Sequence, residues 1–316
     1  MIKFPDVSVA SDDFAGDVMA CLSQTPKSIP SRWLYDAAGA KLFEKITELE
    51  EYYPTRTEIA ILEQYSTEIA GFIGNNAALI EYGSGSSRKT KLLLRALDSL
   101  AAYIPIDISE EMLRTASAEI SRLFPHIDVF PVVADFMKKF DLPTGLPAAS
   151  RRIAFFPGST IGNLEAKEAV DLLRRMGAQL GAGGRAIVGF DLKKDTALLL
   201  AAYDDAPGVT AAFNKNLLKR INRELDGDFD LDAFAHEARW NAAQSRIEMH
   251  LVSRTRQKVR IANRIFAFEA GESIHTENSH KYSVAQLTQL AERSGWGVDH
   301  IWIDSKGFFA LAGLAR

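Results

Sequence analysis

The residues best suited to chemistry follow short apolar runs, where parallel strands of an α/β sheet are expected to end. Gly83-Ser84-Gly85 comes after the apolar run 77–80 and before a leucine-rich helical segment, 92–100. Glycine permits positive φ and close approach of a ligand, and the following helix N-terminus offers unpaired N–H groups. This pattern is typical of the first crossover of a nucleotide-binding domain, and an ordinary tight turn is the alternative.

Two features narrow the choice of nucleotide. A dinucleotide-binding loop needs G-x-G-x-x-G, but Arg88 occupies the place of the third glycine. Asp107 ends the second predicted strand, where a carboxylate can accept hydrogen bonds from ribose hydroxyls. A G-x-G loop with an acid after the second strand favours S-adenosylmethionine, which has no pyrophosphate. NAD is the alternative.

Further polar residues follow the third and fourth predicted strands, 128–133 and 152–157. Asp135-Phe136 could hydrogen-bond an adenine amino group and stack on its ring, or be a turn aspartate and a core phenylalanine. Asn163 could hold an amine and a carboxylate, because an amide both donates and accepts. It could also cap the helix that starts near Glu165.

The elements that position these residues predict an α/β fold. Five strands alternate with helices, and a helix over 284–293 is followed by a hairpin over 297–312. This order predicts the seven-stranded, Rossmann-like sheet of class I methyltransferases, with one antiparallel strand and a second, substrate-binding domain. Thr55 and Glu58 suggest a capping box that opens a helix, and the polar segment 274–282 is expected to be a loop.

Four segments make up the predicted domain organisation. Residues 1–60 contribute to the substrate domain, and 61–195 form the S-adenosylmethionine domain. Residues 196–280 are an inserted substrate-binding domain, and 281–316 return to the methyltransferase domain.

Composition excludes several classes of function. The chain has 316 residues and a net charge of −4, so there is no electrostatic case for binding nucleic acid or an anionic membrane. Cys21 is the single cysteine and cannot form an internal disulfide, which fits a reducing compartment. No segment is long and apolar enough to span a bilayer. We expect a cytoplasmic protein, and a monomer.

The histidines do not follow a metal-binding spacing. Six are scattered through the chain, and His236-Glu237 is not followed by a second histidine at zincin spacing. Ser84 lacks the flanking residues of a nucleophile elbow. The sequence therefore predicts no metal site and no hydrolase triad.

With these residues in view, the chain resembles the histidine Nα-methyltransferases of ergothioneine biosynthesis from about Ser31 to its end. The resemblance depends on long and specific motifs: Y-D-x-x-G-x-x-L-F at 35–43, E-Y-Y-P-T-R at 51–56, G-S-G-S-S-R-K-T at 83–90, P-x-D-x-S at 105–109, D-F at 135–136, F-F-P-G-S-T-I-G-N at 155–163, Y-D-D-x-x-G-V-T at 203–210 and T-E-x-S-x-K-Y at 276–282. It implies an enzyme that trimethylates L-histidine to hercynine with S-adenosylmethionine.

The resemblance also implies roles for individual residues. The cofactor is expected at Gly83, Lys89, Asp107, Asp135 and Phe136. The residues expected to hold histidine are Tyr52, Asn163, Tyr203, Glu277 and Ser279, with further pocket positions at Gly158, Thr210, Phe43 and Met249. Tyr35 matches a tyrosine near the amine, and Asn163 and Tyr35 are the expected catalytic residues.

One departure from the family pattern lies in the loop expected to read the imidazole. Asn278 and His280 stand where small apolar and thiol residues are usual, while Glu277 and Ser279 are kept. Apart from this departure, three alternatives to histidine methylation stay open: methylation of another amino acid or small amine, S-adenosylmethionine binding without turnover, and an NAD-dependent dehydrogenase.

Overall fold

The computed structural model describes residues 13–97 and 99–316, which divide into two compact units. The first unit contains Pro54–Lys193 and Lys281–Arg316, and the second contains 13–53 and Lys194–His280. The roles predicted for these segments stay predictions. The helices in the described residues are α1 (Phe14–Leu22), α2 (Ala37–Thr47), α3 (Tyr53–Gln64), α4 (Ser66–Ile73), α5 (Arg88–Arg95), α6 (Glu110–Leu123), α7 (Ala166–Leu180), α8 (Thr196–Ala201), α9 (Val209–Glu224) and α10 (Val284–Arg293).

The strands in the same residues are β1 (Lys27–Ser28), β2 (Ala77–Tyr82), β3 (Leu100–Asp107), β4 (Asp128–Val129), β5 (Val132–Val133), β6 (Arg152–Phe156), β7 (Arg185–Asp191), β8 (Phe234–Asn241), β9 (Arg246–Ser253), β10 (Gln257–Ile261), β11 (Arg264–Phe268), β12 (Ser273–His280), β13 (Gly297–Ile303) and β14 (Phe309–Ala315). None of the described helices has the length and apolar character needed to cross a membrane.

A mostly parallel sheet organises the first unit, in the order β13-β14-β7-β6-β2-β3-β4, with β5 also paired to β3. Neighbouring strands from β7 to β4 are parallel, whereas β14 is antiparallel to both β7 and β13. The predicted α/β class and terminal antiparallel hairpin are confirmed. The chain leaves β2 toward β3 on one side and returns to β6 on the other. The carboxyl ends of these central strands therefore flank a topological switch point, where open α/β sheets bind ligands.

The sheet has eight strands where seven were predicted. The third predicted strand is divided into β4 and β5, which pair in turn with β3. Pro131 lies between them and has no N–H to donate to a ladder, which accounts for the interruption.

Two apolar layers bury this sheet. The side chains of α7 and α10 pack on one face, against alternate residues such as Ile80 and Ile104. Those of α4, α5 and α6 pack on the other face, against Leu79 and Tyr103. Every residue of β2 is buried, as expected of a central parallel strand covered on both faces.

The second unit contains a four-stranded sheet, in the order β1-β12-β9-β8, and the β10–β11 hairpin. The predicted helices over 196–203 and 209–225 are confirmed as α8 and α9. The predicted polar loop over 274–282 is wrong, because residues 273–280 form strand β12, antiparallel to β9. Polar residues of this strand have polar partners within the unit, since the Thr276 hydroxyl donates to Asn214 Oδ1 and the Ser279 hydroxyl lies 2.6 Å from that of Tyr203.

Candidate active site

The glycine loop is tied to the end of β3 by its own N–H groups. Gly83 and Gly85 have φ of 73° and 49°, conformations in which a side chain is strained. The N–H groups of Gly83 and Ser84 donate to the Ile106 carbonyl, at 2.9 and 3.0 Å. A Cβ added to Gly83 would lie 3.5 Å from the Phe136 ring. Glycine therefore leaves space between the loop and this aromatic residue.

Asp107 is held by backbone donors on both carboxylate oxygens. Its Oδ2 accepts from the Gly85 N–H at 2.8 Å, and its Oδ1 accepts from the Ser109 N–H at 2.9 Å. Burial raises the pKa of this carboxyl, and the hydrogen bonds from Ser109 and Gly85 oppose that rise. A carboxylate has about four acceptor positions, so Asp107 retains capacity for further donors such as ribose hydroxyls.

Asp135 has one engaged oxygen and one buried oxygen without a donor. Oδ1 accepts from the Met137 N–H at 2.8 Å. Within the described residues Oδ2 is buried and meets no hydrogen-bond partner. The neighbouring Phe136 ring meets Phe156 edge to face, with 5.5 Å between centroids. A buried acceptor beside an aromatic ring suits an adenine, whose amino group donates and whose ring stacks. These residues fit S-adenosylmethionine.

Lys89 and Gly158 are joined by Glu58, which sequence reasoning misassigned. Glu58 has no exposed surface, lies 2.5 Å from the Lys89 ammonium and accepts from the Gly158 N–H at 2.9 and 3.0 Å. The predicted capping role of Glu58 with Thr55 is wrong, because α3 begins at Tyr53 and Glu58 lies one turn inside it. Its carboxylate instead links α3, α5 and the end of β6.

A second buried carboxylate, Glu81, lies beneath the glycine loop. It is 1% exposed and accepts hydrogen bonds from Thr90, at 2.6 Å, and from the Tyr103 hydroxyl. Burial raises the pKa of Glu81 to about 7, although the hydrogen bonds and the Lys89 charge lower it. Glu81 therefore fixes β2 to α5 and β3 from inside the fold.

Asn163 does not cap the helix that follows it. It ends a 3₁₀ turn over Thr160–Asn163, and α7 is capped by Glu165, whose reciprocal hydrogen bonds with Glu168 form a capping box. The Asn163 side chain is half-buried and donates to none of the described residues. The capping alternative is thus removed, and the amide is available for a ligand.

Five aromatic side chains of the second unit form a continuous series. Tyr35 meets Phe43 at 5.5 Å between centroids, and Phe43 meets Tyr52 at 6.1 Å. Tyr52 in turn meets Tyr203 at 6.2 Å. Phe213, which sequence reasoning missed, contacts both Tyr35 and Phe43 from α9. The aromatic residues selected by resemblance are therefore brought together.

The same unit brings Tyr203 against β12. The Tyr203 hydroxyl and the Ser279 Oγ are 2.6 Å apart, and both residues are buried. Glu277 pairs with Met249 across the β9–β12 ladder, and the two are 8% and 2% exposed. Tyr203, Ser279, Glu277 and Met249 thus lie on one side of the four-stranded sheet.

Thr210 is positioned by Asp205, a residue of the 203–210 motif that was not among the predicted site residues. The Thr210 N–H donates to Asp205 Oδ1 at 2.7 Å, and the Val209 N–H donates to Asp205 Oδ2 at 2.7 Å. These hydrogen bonds lower the pKa of Asp205 against the effect of burial. A carboxylate four residues before a helix start is the local signal that could have identified it.

Comparison with known proteins places the chain in a family. A family model described as "Histidine-specific methyltransferase, SAM-dependent" matches residues 14–316. The glycine loop, Asp107 and Asp135 therefore belong to an S-adenosylmethionine-dependent methyltransferase. More narrowly, the chain belongs to the histidine-specific methyltransferase family.

Relatives cover nearly the whole chain. The histidine N-alpha-methyltransferase of Mycolicibacterium smegmatis is 44% identical over 312 residues, which is 97% of this chain and 96% of that protein. The enzyme of the same name from Mycobacterium tuberculosis is 42% identical, covering 95% of this chain and 94% of that protein. Ergothioneine biosynthesis protein 1 of Neurospora crassa is 30% identical, over 84% of this chain and 32% of the fungal protein.

Proposed function

We propose that this protein methylates the α-amino group of L-histidine three times to give hercynine, a step of ergothioneine biosynthesis. The observation that carries the proposal is the 44% identity to a histidine N-alpha-methyltransferase over 97% of this chain and 96% of that protein. Near-complete coverage of both chains means that the second unit, and not only the nucleotide-binding unit, has a counterpart in that relative.

The first unit holds the cofactor in this proposal. S-adenosylmethionine supplies a methyl group on a positively charged sulfonium. Asp107 accepts from the ribose hydroxyls, and Asp135 Oδ2 accepts from the adenine amino group while Phe136 stacks on the ring. Gly83 keeps the loop close to the nucleotide, and Lys89 lies beside Gly158 through their shared Glu58.

The second unit reads the imidazole in this proposal. The Glu277 carboxylate accepts from one imidazole N–H, and the Ser279 hydroxyl meets the other ring nitrogen. Tyr203 hydrogen-bonds Ser279, so it fixes the direction of that hydroxyl. Such paired polar groups reject apolar analogues strongly, because those analogues would leave the site's buried groups without partners. Met249 and Thr210 are proposed to complete the pocket.

The α-amine needs alignment and a free lone pair more than a strong base. Asn163 and Tyr203 are proposed to hold the amine and carboxylate, Tyr52 is proposed to bind the histidine as well, and Tyr35 is proposed as the second catalytic residue. A nearby sulfonium charge lowers the amine's pKa and so favours its uncharged form. Tyr35, Phe43 and Tyr52 can stabilise the growing methylammonium by cation–π contacts, worth about 0.5–2 kcal/mol.

The proposal extends to a monomer in the cytoplasm, with no nucleic acid partner. The free Cys21 and the net charge of −4 support this part of it. Sedimentation velocity of the purified chain tests the monomer, and a dimer would contradict it.

A panel of amino acids tests the substrate. The purified protein is incubated with S-adenosylmethionine and each amino acid, and formation of S-adenosylhomocysteine is followed. We expect turnover to be fastest with L-histidine. It should be slow with glutamine, whose side-chain amide has a single nitrogen and no ring, and with phenylalanine, whose ring has no nitrogen. Faster turnover of another amino acid would overturn the proposal in favour of a methyltransferase for that substrate.

A further inference from the structure

Three potential metal ligands meet on one face of the four-stranded sheet in the second unit. Glu248 and His250 lie in β9, and His275 lies in β12, directly opposite His250 in the antiparallel register. One ligand atom from each residue lies within 4.8 Å of the other two. Two imidazoles and one carboxylate form a donor set that suits Zn²⁺ and other divalent metals that bind imidazole.

This cluster lies on the opposite side of the sheet from the residues assigned to histidine recognition. Successive residues of a strand point to opposite faces, so Met249 and His250 face different sides. Glu277 pairs with Met249 and shares its side, while His275 pairs with His250. The cluster therefore has no role in the methyl-transfer chemistry proposed above.

The two imidazoles are already oriented by second partners. His275 Nε2 lies 3.1 Å from the Glu277 carbonyl oxygen, which can only accept, so Nε2 carries the proton and Nδ1 carries the lone pair. His250 Nε2 lies 3.2 Å from Glu248 Oε2, which can only accept, and Nδ1 lies 3.2 Å from the Ser273 hydroxyl, which can donate or accept. In the other tautomer Nδ1–H donates to Ser273 Oγ, and the Nε2 lone pair is directed at the cluster. Hydrogen bonds of this kind to a carbonyl or hydroxyl fix ring orientation in metal sites.

The carboxylate is oriented in the same way. Glu248 Oε1 accepts from Arg246 Nε at 2.8 Å and from Asn241 Nδ2 at 2.9 Å, while Oε2 faces His250. One oxygen is thus held by the protein and the other is turned into the cluster.

The two imidazole rings lie opposite each other across the β9–β12 ladder. The rings stack with 5.0 Å between centroids and 22° between planes. The charged groups of β8 beside them, Glu237 and Arg239, pair with each other at 2.7 Å.

We propose that Glu248, His250 and His275 bind one divalent transition-metal ion, with Zn²⁺ as the best match. Tetrahedral Zn²⁺ with bonds of about 2.0–2.2 Å places its ligand atoms about 3.4 Å apart. Atoms at most 4.8 Å apart need only small side-chain rotations to reach that spacing. Water completes the coordination, since the cluster is only partly buried.

Sequence spacing did not reveal this site, and the sequence predicted no metal. His250 and His275 are 25 positions apart and become neighbours only through the β9–β12 register. Asn278 lies opposite Glu248 in the same ladder, so this departure from the family pattern borders the cluster.

Calorimetry on the full chain tests the site. The protein is prepared without a histidine tag, stripped with a chelator and titrated with ZnCl₂ in the absence of L-histidine, which itself binds Zn²⁺. We expect one equivalent of Zn²⁺ to bind. His250→Ala and His275→Ala should each weaken binding by at least about tenfold. Absorption of bound Co²⁺ should show a four-coordinate spectrum that both substitutions remove.

His300→Ala is the matched control, because His300 Nδ1 lies 3.5 Å from Asp299 but has no third ligand within the described chain. Its Zn²⁺ affinity should equal that of the unmodified protein. Glu248→Gln keeps the shape of the side chain and removes the anionic ligand, so it decides the question if the histidine variants do not fold. No saturable Zn²⁺ binding, or equal affinity in Glu248→Gln and His300→Ala, would overturn the proposal.

Discussion

The carboxylate of Glu58 lies 2.5 Å from the ammonium nitrogen of Lys89, and it also accepts hydrogen bonds from the Gly158 N–H. A side chain from α3 thereby joins the helix after the glycine loop to the end of β6. Glu58 has no exposed surface, whereas the Lys89 side chain is 17% exposed. The ion pair thus has one end in the core and the other toward solvent.

We expect Glu58→Gln to lower the stability of the protein and its affinity for S-adenosylmethionine. An uncompensated, partly buried ammonium costs about 3 kcal/mol, at the low end for buried pairs because Lys89 is partly exposed. Thermal unfolding and calorimetric titration with the cofactor measure both effects. Glu119→Gln breaks the more exposed pair of Glu119 with Lys91, at 2.7 Å, and should change stability by less than about 1 kcal/mol. Equal effects of the two substitutions would refute the role given to Glu58.

The buried carboxyl of Glu81 makes stability depend on pH. Its pKa is raised from 4.5 to about 7 by burial, so the folded state binds this proton more tightly than the unfolded state. The contribution of Glu81 to stability is therefore greatest below pH 4.5 and falls as pH rises toward 7. Glu81→Gln should make the melting temperature depend less on pH between pH 5 and about pH 7. An unchanged slope in that variant would show that other groups cause the pH dependence.

Asp135→Asn tests the acceptor proposed for adenine. An asparagine can keep the acceptor that meets the Met137 N–H, but it places an amide donor where the buried Oδ2 now lies. The asparagine amide and the adenine amino group, both donors, would then face each other. Cofactor affinity should therefore fall by about tenfold or more. Asp141→Asn is the control, since Asp141 is exposed on the same segment. A cofactor affinity that is the same in Asp135→Asn as in the unmodified protein would remove Asp135 from the site.

Much of the first unit could be predicted because its signals are local. The apolar run before Gly83, the acids at the strand ends and the terminal hairpin each depend on neighbouring residues only, and the fold confirms these elements. Glu58 could not be found in this way. Its spacing from Thr55 imitates a capping box, and its partners Lys89 and Gly158 are 31 and 100 positions away.

In the second unit, strand β12 could not be predicted from neighbouring residues either. The segment containing Glu277 and Ser279 is polar, and period-two patterning identifies a strand only when one face is apolar. β12 has polar groups on both faces, so it resembles a loop in sequence. Its pairing with β9 decides which residues face Met249 and which face His250, and register is a property of the fold.

The hydrogen bond between Tyr203 and Ser279 predicts that substitutions of the two residues have coupled effects on the KM for L-histidine. Tyr203→Phe and Ser279→Ala should each raise the KM for L-histidine by about tenfold, since each leaves a buried hydroxyl or ring nitrogen without its partner. The double variant should lose less than the product of the two, because the residues are in contact. Affinity for S-adenosylmethionine should not change.

Tyr53→Phe is the matched control for Tyr203→Phe, Ser279→Ala and their double variant. It removes a tyrosine hydroxyl that accepts from Lys194 at 2.8 Å and that has no proposed role in substrate recognition. Its KM for L-histidine should stay within about twofold of the unmodified value. Independent, multiplicative effects of Tyr203→Phe and Ser279→Ala would contradict the coupling expected from their hydrogen bond.

Mass spectrometry of L-histidine incubated with S-adenosylmethionine and the purified protein tests the proposed activity most directly. The account predicts successive mono-, di- and trimethyl species, with fragmentation that places every methyl group on the α-nitrogen. Methyl groups on the imidazole would contradict the proposed orientation of Glu277 and Ser279. Unchanged histidine, with the cofactor demonstrably bound, would contradict the activity itself.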